Sequence, residues 1–231
     1  MADVIQPAPV VRVPVSGSAD TFPVRRIYCV GRNYVEHALE MGATGREAPF
    51  FFLKPGDAAL PVAAGSVGAL PYPSMTTNFH HEVELVVAIG KGGRDIAAID
   101  AMGHVFGYAV GLDMTRRDLQ NEMKRQGRPW CIGKGFDASA PVGPITPADR
   151  FKGFAGVRIS LTVNEEPRQS SRIDKMIWNV AEIIAHVSQA WALAPGDLIF
   201  TGTPEGVAAV QRGDVLEARV DGLEPLVVQV V

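Results

Sequence analysis

The stretch from residue 80 to residue 89 reads His80-His-Glu-Val-Glu-Leu-Val-Val-Ala-Ile89, and it constrains the fold more than any other segment. On a strand, residues two apart share a face, so His80, Glu82 and Glu84 point one way while Val83 and Leu85 point the other. From Leu85 onward the run is apolar on both faces, as a strand covered on two sides must be. A second apolar run, Val105-Phe-Gly-Tyr-Ala-Val-Gly-Leu-Asp113, also ends on an acid. If the two runs are sheet neighbours, Glu82, Glu84 and Asp113 converge. Carboxylates driven together toward a core repel one another and lose hydration, so they require a cation or a shared proton. Three oxygen donors with no cysteine partner suit a hard ion, Mg2+ with Mn2+ or Ca2+ as alternatives, rather than zinc. Three protein ligands leave positions open for water and a chelating substrate. The competing reading is a half-exposed strand whose acids face solvent.

Strands dominate the rest of the chain as well. Residues 26–30, 49–54, 157–164, 198–201, 215–220 and 226–231 read as strands, and Asp221-Gly222 is a hairpin signal between the last two. Three helices are predicted. The first runs from Asn33, with Glu36 at the matching capping-box position, to Met41 before Gly42. The second covers 114–126 before Gly127. The third covers 175–191, where Met176, Val180, Ile183, Val187 and Trp191 keep a helical spacing. The 24 glycines and 17 prolines are spread out, which favours many short elements joined by turns. The predicted class is α+β and β-rich: a mixed sheet or barrel with helices packed outside. Residues 1–73 differ in texture and form a small N-terminal β region, and 74–231 form the main domain.

With 22 basic and 25 acidic residues the net charge is -3, and the basic residues are scattered. That argues against a nucleic-acid partner or an anionic membrane surface. No apolar run reaches the 18 or so residues of a membrane span. The first fifteen residues lack the basic and apolar regions of a signal peptide, and Cys29 and Cys131 are far apart. They read as reduced thiols of a cytoplasmic protein.

Other residues carry possible chemistry. His37 and Glu40 stand at i and i+3 of the first helix, where a carboxylate can orient an imidazole as a water-activating base, or simply form an exposed pair. Arg117 and Gln120 share the same spacing on the second helix. Lys134 lies between Gly133 and Gly135, where the backbone can approach a ligand. The three could donate to an oxyanion, or be ordinary surface residues. In Thr201-Gly-Thr-Pro204, Thr203 could offer its hydroxyl and N–H to a carboxylate, or serve only as a turn residue. Phe50-Phe51-Phe52 reads as core.

Several pieces occur in one order: Cys29-Val-Gly-Arg-Asn-Tyr34 with His37 and Glu40, Phe52-Leu-Lys-Pro55, His80-His-Glu-Val-Glu-Leu85, Gly111-Leu-Asp-Met-Thr-Arg-Arg-Asp-Leu-Gln120, Gly133-Lys134 and Thr201-Gly-Thr-Pro204. From about residue 25 to the end the chain thereby resembles the fumarylacetoacetate hydrolase family, and most of all its small members that hydrolyse fumarylpyruvate. The resemblance implies a rolled mixed sheet, a homodimer and a divalent metal. It makes Glu82, Glu84 and Asp113 the metal ligands. His37 and Glu40 become the water-activating dyad on a lid. Arg117, Gln120 and Lys134 line the oxyanion and substrate site, and Thr203 lies on a substrate-contacting turn. Gln169-Ser-Ser-Arg172 departs from relatives that carry a glycine there, which puts the local loop shape in question. The implied reaction is hydrolysis of an acylpyruvate carbon–carbon bond, 3-fumarylpyruvate giving fumarate and pyruvate in aromatic degradation through gentisate. Arg32 or Lys54 would hold the far carboxylate. An oxaloacetate decarboxylase or a 2-hydroxyhepta-2,4-diene-1,7-dioate isomerase of the same family is the alternative. A non-catalytic metal-binding protein is a reading of a different class.

Overall fold

The computed structural model describes residues 3–35 and 47–231. Two sheets carry the fold. In the larger, the spatial order is Phe50–Pro55, Arg26–Gly31, Leu198–Phe200, Val83–Ile89, Val105–Leu112, Ala140–Val142 and Ala59–Pro61, and Thr146–Pro147 also pairs with Val105–Leu112. Pairing is mixed: Leu198–Phe200 runs parallel to Arg26–Gly31 and antiparallel to Val83–Ile89. The first and last strands of that order are joined by the single turn Gly56–Ala58, so the sheet curls back on itself. The smaller sheet holds Glu166–Arg172, Arg158–Val163, Val215–Val220, Leu226–Val230 and Val67–Leu70. Strands from the first 73 residues thus run in both sheets.

All seven residues of Val83–Ile89 are buried. Leu85, Val87 and Ile89 face a core shared with Ile159, Leu161 and Leu216 of the smaller sheet and with Ile183 and Val187 of the helix Val180–Ala190. Val86 and Ala88 face a second core, closed by Val13 and Phe22 of the N-terminal ribbon Arg12–Pro14/Thr21–Pro23. Each fully buried aliphatic side chain of this kind contributes about 1.5–3 kcal/mol, which anchors the strand at the centre of the molecule. The β-rich, rolled mixed architecture read from the sequence is therefore the one observed.

Several local expectations shift. The helix expected over 175–191 begins at Val180, because Asn179 and Glu182 form a reciprocal capping box. Upstream, Ile173–Lys175 is a short 3-10 turn, and Met176 is extended and bridges Tyr34. The helix expected over 114–126 spans Arg117–Gln126, since Thr115–Arg116 pairs with Phe79–His80 instead. Of Phe50–Phe52, Phe51 packs against the first core and Phe52 against the second, while Phe50 is 36% exposed, with Leu53 beside it at 37%. Among the described residues, the strand Phe50–Pro55 has a paired neighbour on one side only. The helix expected over 33–41 falls, past Val35, outside the described residues, as do His37 and Glu40. Both cysteines are free, Cys29 buried and Cys131 exposed. Among the described residues no helix is long and apolar enough to cross a membrane.

Candidate active site

The register brings the three acids together. Glu82 immediately precedes the central strand, Glu84 lies on it opposite Gly111, and Asp113 directly follows the neighbouring strand. The Asp113 N–H donates to the Glu82 carbonyl at 2.9 Å, extending the ladder by one step. One oxygen from each of the three buried carboxylates lies within 4.8 Å of the others.

Three cations surround them. The short helix Cys131–Lys134 places Lys134 Nζ 2.8 Å from Glu82 Oε2 and 2.7 Å from Asp113 Oδ2. Burial works against this ammonium, but Asp113 and Glu82 outweigh it and hold the Lys134 pKa above the ordinary lysine value. Arg117 pairs with Glu82 and donates to Gln120 Oε1 at 2.5 Å, so the i, i+3 pair meets as its spacing predicted. Lys54 Nζ lies 2.8 Å from Asp113 Oδ1 and donates to the carbonyls of Met114 and Lys134.

Glu84 differs. Among the described residues it has no ion pair; its Oε2 accepts one hydrogen bond, from the Gly202 N–H at 2.6 Å. Complete burial, then Asp113 and Glu82, push its pKa well above the usual carboxylate range. Two like charges 4–5 Å apart cost about 3–4 kcal/mol at an effective dielectric near 20, which one amide donor does not offset. A single divalent ion, with oxygen ligands at ~2.1–2.6 Å, fits both the spacing and the lack of an ion pair at Glu84 among the described residues. The donor set and its burial therefore suit a hard divalent metal held by Glu82, Glu84 and Asp113.

Every predicted site residue among the described ones lines one cleft, Lys54 excepted. Lys54 lies beneath the floor with its side chain fully buried, so it braces Asp113 rather than reaching a substrate carboxylate. Gly133, which precedes Lys134, also plays a different part from the one expected. A Cβ on Gly133 would lie 2.8 Å from the Gln120 backbone nitrogen, so this glycine lets the short helix pack against Arg117–Gln126 rather than admit a ligand.

The turn after Leu198–Phe200 is held by residues that the sequence did not single out for the site. Asn33, wholly buried, donates to the carbonyls of Thr201 and Trp178 and accepts from the Trp178 N–H. Gly202 has φ +97, and a Cβ there would stand 2.7 Å from Asn33 Cβ, so only glycine delivers this amide to Glu84. Gln169 accepts from the Val83 N–H through Oε1, which fixes its orientation, and its Nε2 donates to Thr203 Oγ1 at 2.8 Å. Thr203 Oγ1 is thus an acceptor toward Gln169, leaving its O–H to donate into the cleft. Gln120 spends its carbonyl on Arg117 and keeps its NH2, and Lys134 keeps one N–H beyond its two carboxylates. Three donors face a ligand beside the acidic trio, an arrangement for binding an oxygen-rich anion and stabilising charge that develops on it. Phe52 and Trp130 complete the wall; neither had been expected to line the site.

The family profile described as Fumarylacetoacetate (FAA) hydrolase C-terminal matches residues 26–231. A crystal structure of fumarylpyruvate hydrolase from Pseudomonas aeruginosa, in complex with Mn2+ and pyruvate, is 57% identical at a TM-score of 0.97, covering 100% of this chain and 99% of that one. Mitochondrial oxaloacetate tautomerase FAHD1 of Rattus norvegicus is 42% identical over 199 residues, 86% of this chain and 88% of that protein. Mitochondrial oxaloacetate decarboxylase of Dictyostelium discoideum is 40% identical over 200 residues, 87% of this chain and 90% of that protein. On the profile match, the near-complete coverage and the shared fold, the chain belongs to the fumarylacetoacetate hydrolase family.

Proposed function

We propose that this protein hydrolyses the carbon–carbon bond of an acylpyruvate, 3-fumarylpyruvate foremost, releasing fumarate and pyruvate with a divalent ion, Mg2+ foremost, held by Glu82, Glu84 and Asp113. The observation that carries the reading is Glu84, a buried carboxylate beside two others with no cation of its own among the described residues. The identity of 57% to a fumarylpyruvate hydrolase supports the choice of substrate. Three carboxylates and three cations balance formally in the site. A divalent ion leaves two positive charges over, which matches a chelating keto acid able to carry two negative ones.

When bound, the ion supplies Lewis acidity toward the keto-acid end. The chain's own residues do the rest. Thr203 and Gln120 orient the substrate's oxygens. His37, steadied by Glu40, takes a proton from the attacking water; this role rests on their spacing in the sequence. Lys134, with Gln120 and Arg117 beside it, stabilises the oxyanion at the attacked carbonyl. The segment of residues 1–73 carries the dyad as a lid, and the enzyme works as a cytoplasmic homodimer.

The test is to mix purified protein with Mg2+ or Mn2+ and fumarylpyruvate, follow loss of the enol absorbance and identify the products, with oxaloacetate alongside. Fumarate and pyruvate in equal amounts are expected. Faster turnover of oxaloacetate would overturn the reading in favour of the activity named for the 42% identical relative. His37→Ala should abolish hydrolysis while metal binding persists; near-normal turnover would remove the base.

A further inference from the structure

The cleft has a second chamber beside it. Gly31 and Arg32 line both the metal cleft and an adjoining space walled by Pro49, Phe50, Ile177 and Trp178. The shared wall is formed by an unusual residue. Arg32 has φ 56, the left-handed region that side-chain-bearing residues seldom adopt, between a sheet strand and the tethered Asn33. Backbone strain of this kind clusters where a fold must aim one side chain.

Arg32 also differs in its partners. Lys134 and Arg117, the other cations of the cleft, are both paired with carboxylates. Arg32 has no ion pair among the described residues. Its Nε is buried without a hydrogen-bond partner, and its guanidinium carbon lies 5.6 Å from the Phe50 ring centroid. A guanidinium held on an aromatic face with a donor unspent is prepared for a planar, bidentate acceptor, which a carboxylate supplies. Phe50 and Trp178 give the chamber flat apolar walls, suited to an unsaturated carbon chain. Among the described residues Glu47 is the chamber's one acid, and Arg32 alone of the two charges lines the metal cleft as well.

We propose that this chamber is the acyl-arm subsite, and that Arg32 selects acyl groups ending in a carboxylate over neutral ones. The inference rests on the acylpyruvate reading and deepens it. A keto acid seated at the acidic trio sends its acyl arm past Gly31 into the chamber, and its terminal carboxylate meets Arg32. A neutral acyl group leaves the buried Nε unpaired, so binding energy is lost where the arm ends.

The experiment compares wild type, Arg32→Gln and Arg32→Lys as Mn2+ holoenzymes. It measures kcat and KM for fumarylpyruvate and for acetylpyruvate, and inhibition by fumarate and by pyruvate. For Arg32→Gln the ratio of kcat/KM for fumarylpyruvate to that for acetylpyruvate should fall by about 30-fold, mostly through KM. Fumarate inhibition should weaken far more than pyruvate inhibition, and Arg32→Lys should recover part of both effects. Equal losses for the two substrates, or unchanged fumarate inhibition, would overturn the subsite. If wild type cleaves no acylpyruvate, the functional reading fails instead. Fumarate binding to the holoenzyme by calorimetry then still tests the chamber by itself: binding lost in Arg32→Gln supports it, and absent or unaltered binding overturns it.

Discussion

The central strand Val83–Ile89 has buried carboxylate at each end, one acid at the far end and three at the near end, and the two sites are built on opposite principles. At the far end Asp197 is wholly buried, accepting from Arg25 at 3.1 Å, from Arg26 at 3.2 Å and from the Ala194 N–H at 2.9 Å. Its charge is closed by the chain itself, and its backbone carbonyl continues the ladder from Ile89. At the near end, Glu82 and Asp113 share Lys54, Arg117 and Lys134, while Glu84 receives one backbone amide. A buried acid whose charge is met by side chains holds a fold together. One left short of charge beside two others, and opening to a cleft, is a place for a ligand.

That contrast can be broken in graded steps. Glu84→Gln should lower metal-dependent kcat/KM by at least about 10²–10³-fold. Its melting temperature in chelator should not fall, because the change removes a charge held against like charges. A clear drop there would show that Glu84 holds the fold as Asp197 does. Next in size, Mn2+ at a hundred times its Kd should stabilise wild type by about 2.7 kcal/mol, read as a Tm rise of roughly 5–10 °C. Chelation should reverse the rise, and Glu84→Gln should lack most of it. Asp197→Asn should show the reverse pattern. Its arginines are 49% and 29% exposed, so the loss is limited to about 2 kcal/mol, or roughly 4–8 °C in Tm, with metal binding retained. The smallest effect belongs to Thr203→Val, about tenfold in kcat/KM from one lost donor, with Thr203→Ser recovering most of it.

The parts of this site that could be read from the sequence are those with local periodicity. Glu82 and Glu84 sit at period two before an apolar run, and Arg117 and Gln120 at i, i+3, so their facing directions follow from strand and helix geometry alone. Contacts between distant segments leave no such trace. Asn33 reaches Thr201 across 168 positions, and Gln169 reaches His81 across 88. Nothing in the composition of Phe52-Leu-Lys-Pro55 distinguishes a lysine on the cleft wall from one beneath it. The same limit explains the misplaced helix start. Apolar spacing continues upstream through Met176 and Ile177, but Asn179 and Glu182 supply the cap that decides where the helix begins. Phe51 and Phe52 pack on the two cores as an aromatic run suggests, but Phe50 is left exposed at the end of the sheet order, and that position is a property of topology.

The Asn33 carboxamide clasps Trp178 on one side and Thr201 on the other. Trp178 walls the second chamber, and the residue after Thr201 delivers the amide to Glu84. One side chain thus tethers the main chain of both compartments, and removing its carboxamide would loosen a wall of one and an acid's anchor in the other at a single stroke.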